Sequence, residues 1–211
     1  MSLFPEHQSG MMACTVIVDC SRSMNTEIES ARPGWTRMKA LLAGLQILAA
    51  ELKSDPKARN TVELSVISVG GESPHFPHLV QDWTFARDFM SPSDLKADGS
   101  TPLGLAMLIA LERTDDKKKR YRDKGVSYYR PRIIIISDGE PTDTPPKWAE
   151  AVRAARAAIA GKHADIQAVG IDGCPLERLN ELSSKPALEL SSHRFNEYFA
   201  ELSNSLSRTV R

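Results

Sequence analysis

Cysteine is scarce and odd in number. Cys14, Cys20 and Cys174 are the three thiols among 211 residues, with no metal-ligand spacing, so neither a disulfide framework nor a zinc ribbon organises the chain. Cys14 and Cys174 fall on or beside expected core strands, where free thiols behave as small buried hydrophobes, and this fits a reducing compartment. An excess of one charge is missing as well. Lys+Arg and Asp+Glu number 27 each, which gives no whole-molecule attraction to nucleic acid or to an anionic membrane. No segment is long and apolar enough to span a bilayer, and the first dozen residues have neither a basic start nor an apolar signal core. A soluble, cytoplasmic protein is the expectation. The chain also lacks G-x-x-x-x-G-K-[ST] and G-x-S-x-G, which excludes a P-loop nucleotide enzyme and a hydrolase built on a nucleophile elbow. No repeat, low-complexity linker or composition shift divides it, and 41% hydrophobic residues suffice for one full core.

What is present is organised around residues 13–24. Cys14-Thr-Val-Ile-Val18 is β-branched and apolar, as a strand buried on both faces should be. It ends by delivering Asp19, Ser21 and Ser23 at alternate positions. After a polar loop closed by Arg32-Pro-Gly, an apolar stripe from Met38 to Leu52 predicts a helix over about 35–53, stopped by Asp55-Pro56. Residues 61–69 read as a second strand broken by Gly70-Gly71, and 75–83 as a shorter one whose prolines suit a sheet edge. Residues 85–96 read as one short helix. Pro102 opens a helix from Leu103 to about Arg113 that continues into a mixed charge run through Lys124, expected to be a solvated helix end. Arg132-Ile-Ile-Ile-Ile-Ser137 is the most apolar strand and must be central; it ends in a second acidic loop, Asp138-Gly-Glu-Pro-Thr-Asp143. A helix over 146–160, a strand over 164–171, a short helix from Pro175, a short strand near 187–190 and a final helix over 195–208 follow. Strand and helix alternate, so the expected fold class is α/β: a three-layer, Rossmann-like domain with a mostly parallel sheet, one antiparallel edge strand and helices on both faces. Residues 1–11 read as a loose leader and 12–211 as the domain.

In an open α/β sheet, ligands bind at the carboxyl ends of strands where strand order reverses. Three loops rich in oxygen donors fall at such positions: Asp19-Cys-Ser-Arg-Ser23, Gly99-Ser-Thr101 and Ser137-Asp138-Gly139. Carboxylate and hydroxyl oxygens at strand ends suit a hard cation such as Mg²⁺. The combination resembles the von Willebrand factor A domain, whose metal-ion-dependent adhesion site (MIDAS) uses D-x-S-x-S, a distant threonine and a later aspartate after an apolar strand. The resemblance implies metal ligands at Asp19, Ser21, Ser23, Thr101 and Asp138 and a bound Mg²⁺ or Mn²⁺. Ser21 and Ser23 would bind directly, Thr101 directly or through water, and the two aspartates through waters or from behind the ligands. It implies a protein partner that offers an Asp or Glu to the metal, with no bond made or broken and no enzyme activity. The two acidic motifs further resemble bacterial von Willebrand A proteins of tellurium resistance and stress response, which implies kinase or phosphatase partners.

One position departs from that pattern. Arg22 stands between the serines where the family usually has glycine, and it is expected to point outward and favour an acidic partner surface. Arg22, Glu27 and Arg32 flank the site as further partner contacts, Trp35 follows it, and Glu140 and Asp143 read as its rim or as a solvated turn. His75 and His78 read as surface residues, since no cysteine or carboxylate completes a metal spacing. Two other functions are consistent with parts of the pattern. A metal-dependent phosphohydrolase would use Asp19 as nucleophile, but it wants a second carboxylate two residues on, where Ser21 stands. A metal-free scaffold is favoured only by Arg22.

Overall fold

The structure is a computed structural model that describes residues 10–29, 31–71 and 73–210. Its centre is a six-stranded sheet in the order β3-β2-β1-β4-β5-β6. The strands are β1 (Met12–Cys20), β2 (Val62–Gly70), β3 (Ser73–Phe85), β4 (Arg132–Ser137), β5 (Asp165–Ile171) and β6 (Leu188–Leu190). All neighbours pair in parallel except β2 and β3, which form the antiparallel edge. The longer helices are α1 (Arg37–Ser54), α3 (Leu103–Asp123), α4 (Pro145–Ala160) and α6 (Phe195–Val210); α2 (Ala58–Thr61) and α5 (Glu177–Leu182) are short.

Period-two alternation sorts the β1 side chains onto two faces. Cys14, Val16 and Val18 enter a core with Leu41, Leu45 and Leu48 of α1 and Phe195 and Phe199 of α6. Ile17 faces the other way, toward Leu103 and Met107 of α3 and Trp148 and Ala151 of α4. In β4, Ile134 and Ile136 share the first face, and Ile133 and Ile135 the second. Both sheet faces are therefore covered by helices, which is why the central strands read as unbroken apolar runs.

Several expectations need correction. Residues 85–96 form no helix: Ala86 and Phe89 are buried in the α1 side of the core, Ala86 N–H donates to the Val62 carbonyl, and Pro92 disfavours helical geometry at Ser91. β3 is the longer strand of the edge hairpin at 13 residues, with irregular register against β2. The charge run in α3 is not simply solvated. Lys117 and Lys118 are buried, and Lys117 Nζ lies 2.5 Å from Glu63 Oε1 on β2. Residues 1–9 of the expected leader lie outside the described residues. Its end is not loose, because Gly10 is buried and Met11 bridges to Tyr128. The three thiols are buried and free, and His75 and His78 are exposed. Among the described residues no helix is long and apolar enough to cross a membrane.

Burial pushes the Cys14 thiol from 9.0 up to about 12, with the charge of Arg132 pulling it partly back. A thiol kept protonated in the fold but free to ionise near pH 9 when unfolded stabilises fully below pH 9. That contribution is lost as pH rises from 9 towards 12, at roughly 1.4 kcal/mol per pH unit. In denaturant titrations at pH 8, 9 and 10, the loss of stability with pH should be shallower in Cys14→Ala than in wild type, by about half a proton on average and approaching one proton at pH 10. Parallel slopes would contradict this.

Candidate functional site

The chain runs from β1 to β2 on one side and later inserts β4 on the other side of β1, so the loops leaving β1 and β4 diverge and open a crevice at their carboxyl ends. The register pairs Val18 with Ile136, which sets Asp19 beside Ser137 at the next step, on the α3/α4 face. Ser137 Oγ donates to Asp19 Oδ2 at 2.5 Å, and Ser21 N–H donates to Oδ1 at 2.8 Å. Asp19 is fully buried. Burial raises its pKa, the Ser137 and Ser21 hydrogen bonds oppose the rise, and the charge of Asp138 adds to it.

From Asp19 the cluster climbs to the surface. Ser21 is buried, and its Oγ stands 3.0 Å from Ser23 Oγ. Ser23 is exposed and donates to Asp138 Oδ1 at 2.6 Å. With its proton committed to Asp138, Ser23 accepts from Ser21 Oγ and keeps one lone pair for a cation. Two ligands at adjacent vertices of an Mg²⁺ octahedron, with bonds of 2.0–2.1 Å, stand about 2.9 Å apart, so the two serine oxygens already have the separation such an ion needs. The donors are all oxygens, and the aspartates sit behind the hydroxyls. Among the described residues no three His, Cys, Asp or Glu side chains gather as a metal group; the donors brought together here are hydroxyl and carboxylate oxygens, the kind a hard ion takes.

Thr101 joins this cluster by its loop. Asp98 N–H donates to the Cys20 carbonyl at 2.9 Å, and Gly71 N–H donates to the Asp98 carbonyl at 2.7 Å. This close passage over the strand ends requires Gly70, which has φ +77° and whose Cβ would stand 2.6 Å from the Asp98 carbonyl oxygen. On the other side, Thr101 N–H donates to Thr142 Oγ1 at 3.1 Å, and Thr142 N–H donates to the Thr101 carbonyl at 3.0 Å. Thr101 is thus buried and tied by its main chain to Thr142 of the β4 loop, while Asp98, earlier in the same loop, makes the bond to the end of β1.

Asp143 is neither rim nor solvated turn. Its carboxylate accepts from Gly104 N–H at 2.8 Å and Leu105 N–H at 2.9 Å, capping α3 where Pro102 cannot. Asp143→Ala should cost about 1–2 kcal/mol in denaturant titrations, and a change under a few tenths of a kcal/mol would contradict the capping role. Glu140 is exposed. The Arg22 side chain points outward, 81% exposed, and pairs with Asp98 at 3.2 Å, a pair worth little in solvent. Arg32 lies over the Trp35 ring, 4.2 Å from its centroid, and Glu27 is exposed.

Sequence reasoning missed two residues. Ser137 is one, although strand alternation places it on the Asp19 face. Arg37 is the other: its Nη1 donates to Asp138 Oδ2 and its Nε to Asp172 Oδ2, both at 2.7 Å. Burial opposes the charge on Arg37, but these bonds to Asp138 and Asp172 outweigh it and hold the guanidinium pKa above its ordinary value. A cation in a helix's first turn runs against the helix dipole, and that was the available signal.

The fold defines a class. The von Willebrand factor type A domain family model matches residues 15–208, and the chain belongs to that family, whose domains commonly serve in protein interaction and adhesion. A search of the curated proteins returns no match. Among solved structures it is similar to the pilus adhesin SpaC from Lactobacillus rhamnosus GG, at 14% identity and a TM-score of 0.69, over 95% of this chain and 31% of that one. It is also similar to the vWF domain of the type V pili tip protein Mfa5 from Porphyromonas gingivalis, at 11% identity and TM-score 0.63, over 96% and 97%. The TFIIH p34 N-terminal domain matches at 15% identity and TM-score 0.63, over 95% and 100%. The chain spans only 31% of SpaC and 64% of the PilB minor pilin from Streptococcus sanguinis. At these identities the likeness is one of fold.

Proposed function

We propose that the domain binds one Mg²⁺ or Mn²⁺ ion and docks a protein partner by taking an Asp or Glu carboxylate from it onto that ion. Ser21 and Ser23 hold the ion by their hydroxyls, Thr101 completes the protein side, and Asp19 and Asp138 orient the serines and the ion's waters. The observation that carries this reading is the bonded chain Ser137–Asp19–Ser21–Ser23–Asp138 at the ends of β1 and β4. When bound, the ion supplies an electrophilic coordination position and no bond is broken. Keeping both carboxylates behind the hydroxyls leaves the ion its appetite for a negative ligand.

The same geometry disfavours the hydrolase alternative. Asp19 is fully covered and both of its oxygens accept hydrogen bonds within the fold, which argues against its use as a nucleophile on a phosphate ester. The metal-free scaffold loses its argument from Arg22, whose charge is in solvent. The likeness of the two acidic motifs to tellurium-resistance proteins leads us to place the partner among the kinases and phosphatases of a cytoplasmic stress system.

The test pairs thermal melts with a hydrolysis assay. Mg²⁺ or Mn²⁺ should raise the melting temperature of wild type, by the linkage of binding to folding, and leave Ser21→Ala unchanged. Hydrolysis of p-nitrophenyl phosphate should stay at background with either ion. Metal-dependent turnover abolished by Asp19→Asn would replace this reading with the enzyme.

A further inference from the structure

Arg37 stands where a cation is least expected. It is the first residue of α1, in a turn that carries no acidic side chain, and positive charge there opposes the helix dipole. Departures from a local rule of this kind concentrate at functional sites. The compensation comes from two loops distant in sequence: Nη1 bonds Asp138 Oδ2 and Nε bonds Asp172 Oδ2. The Asp138 side chain is wholly covered, while Arg37 keeps 19% of its own exposed. Asp138 thus divides its oxygens, Oδ1 taking the Ser23 proton and Oδ2 the guanidinium.

Resting on the metal reading above, we infer that Arg37 is a built-in counter-ion that competes with the divalent ion for Asp138, holding ion affinity low until a partner's carboxylate arrives. The reasoning is one of charge. Asp19, Asp138 and Asp172 bring three negative charges to the strand ends, and Arg37 cancels one of them before any ion binds. A divalent ion beside Ser23 must share Asp138 with a guanidinium already at 2.7 Å, and the two positive charges repel. A carboxylate arriving on the ion relieves that repulsion, so ion and partner favour each other's binding. Arg37 also has somewhere to go. It lines a groove of about 370 Å³ that is lined as well by Glu27 and Glu29, carboxylates that can receive the guanidinium when the ion draws on Asp138. A purely structural staple between the β4 and β5 loops makes the opposite prediction, because its loss would loosen Asp138 and weaken the ion.

Isothermal titration of metal-stripped protein with Mg²⁺ and Mn²⁺ decides between them, using wild type, Arg37→Gln and Arg37→Lys. Arg37→Gln should bind the ion about tenfold more tightly than wild type, within the range that outer-shell changes produce. Arg37→Lys, which keeps the charge, should stay within about threefold of wild type. Arg37→Met keeps the stem of the side chain and replaces Arg37→Gln should the latter fail to fold. Binding by wild type with equal or weaker binding by the uncharged variant overturns the role of Arg37 and leaves the metal site standing. Absence of binding in every variant at millimolar ion overturns the metal reading itself, and this inference with it.

Discussion

Lys117→Met is expected to lower the unfolding free energy by about 3–5 kcal/mol, the cost of stranding a buried charge. Lys117 and Glu63 leave only 10% and 8% of their side chains exposed at a separation of 2.5 Å. Tyr121 donates its hydroxyl to the second Glu63 oxygen, and the Lys117 ammonium lies 5.1 Å from the Tyr121 ring. With Lys117 gone, the Glu63 carboxylate keeps one donor and no countercharge in the space between β2 and α3. The pair itself is not the source of stability, since its formation costs desolvation of both ions. The triple variant Glu63→Leu/Lys117→Met/Tyr121→Phe, which removes every polar member at once, should therefore return to within about 1 kcal/mol of wild type or exceed it. Chemical denaturation of the three proteins checks this. A Lys117→Met loss below 1 kcal/mol would mean that water reaches Glu63. Because Glu63 lies at the start of β2, at the opposite end of the sheet from the Asp19 crevice, folded Lys117→Met should bind Mg²⁺ as wild type does.

That network shows where sequence reading stops. The run from Asp115 to Lys124 mixes signs in a way that reads as a solvated face, and nothing local reveals that Glu63, 54 residues earlier, waits to receive Lys117. Strands were plainer. The apolar runs of β1 and β4 are long, β-branched and bounded by Asp, so their limits and central places follow from composition alone. The segment 85–96 reads as a short helix, but Ala86 and Phe89 are held into the core by a chain that follows β3 and meets Pro92. In the site, Asp19, Ser21, Ser23 and Asp138 were legible as a motif, and the fold brings them into one bonded chain. Thr101 was legible by type, and its loop reaches the cluster through Cys20, Gly71 and Thr142. Arg37 was not, because its two partners lie 101 and 135 residues away. Asp143 was read as a rim residue because a loop carboxylate capping a helix 39 residues earlier has no signature in the chain.

The second large effect is on ion affinity. Asp138 orients Ser23 by accepting its proton and shares its other oxygen with Arg37. Asp138→Ala therefore frees Ser23 to turn its lone pairs away, and it removes a negative charge while leaving the guanidinium close by. Both changes act against a cation, and a loss of about 10- to 100-fold is the scale expected for an orienting carboxylate. Arg37 retains Asp172 and the core does not involve Asp138, so the variant should fold.

Calorimetric titration of metal-stripped wild type and Asp138→Ala with Mg²⁺ and Mn²⁺ tests the central claim most directly. The account predicts saturable binding at a single site in wild type, weakened about 10- to 100-fold or lost in the variant. Equal affinity in the two proteins, or no binding at millimolar ion by wild type and by Arg37→Gln alike, would contradict it.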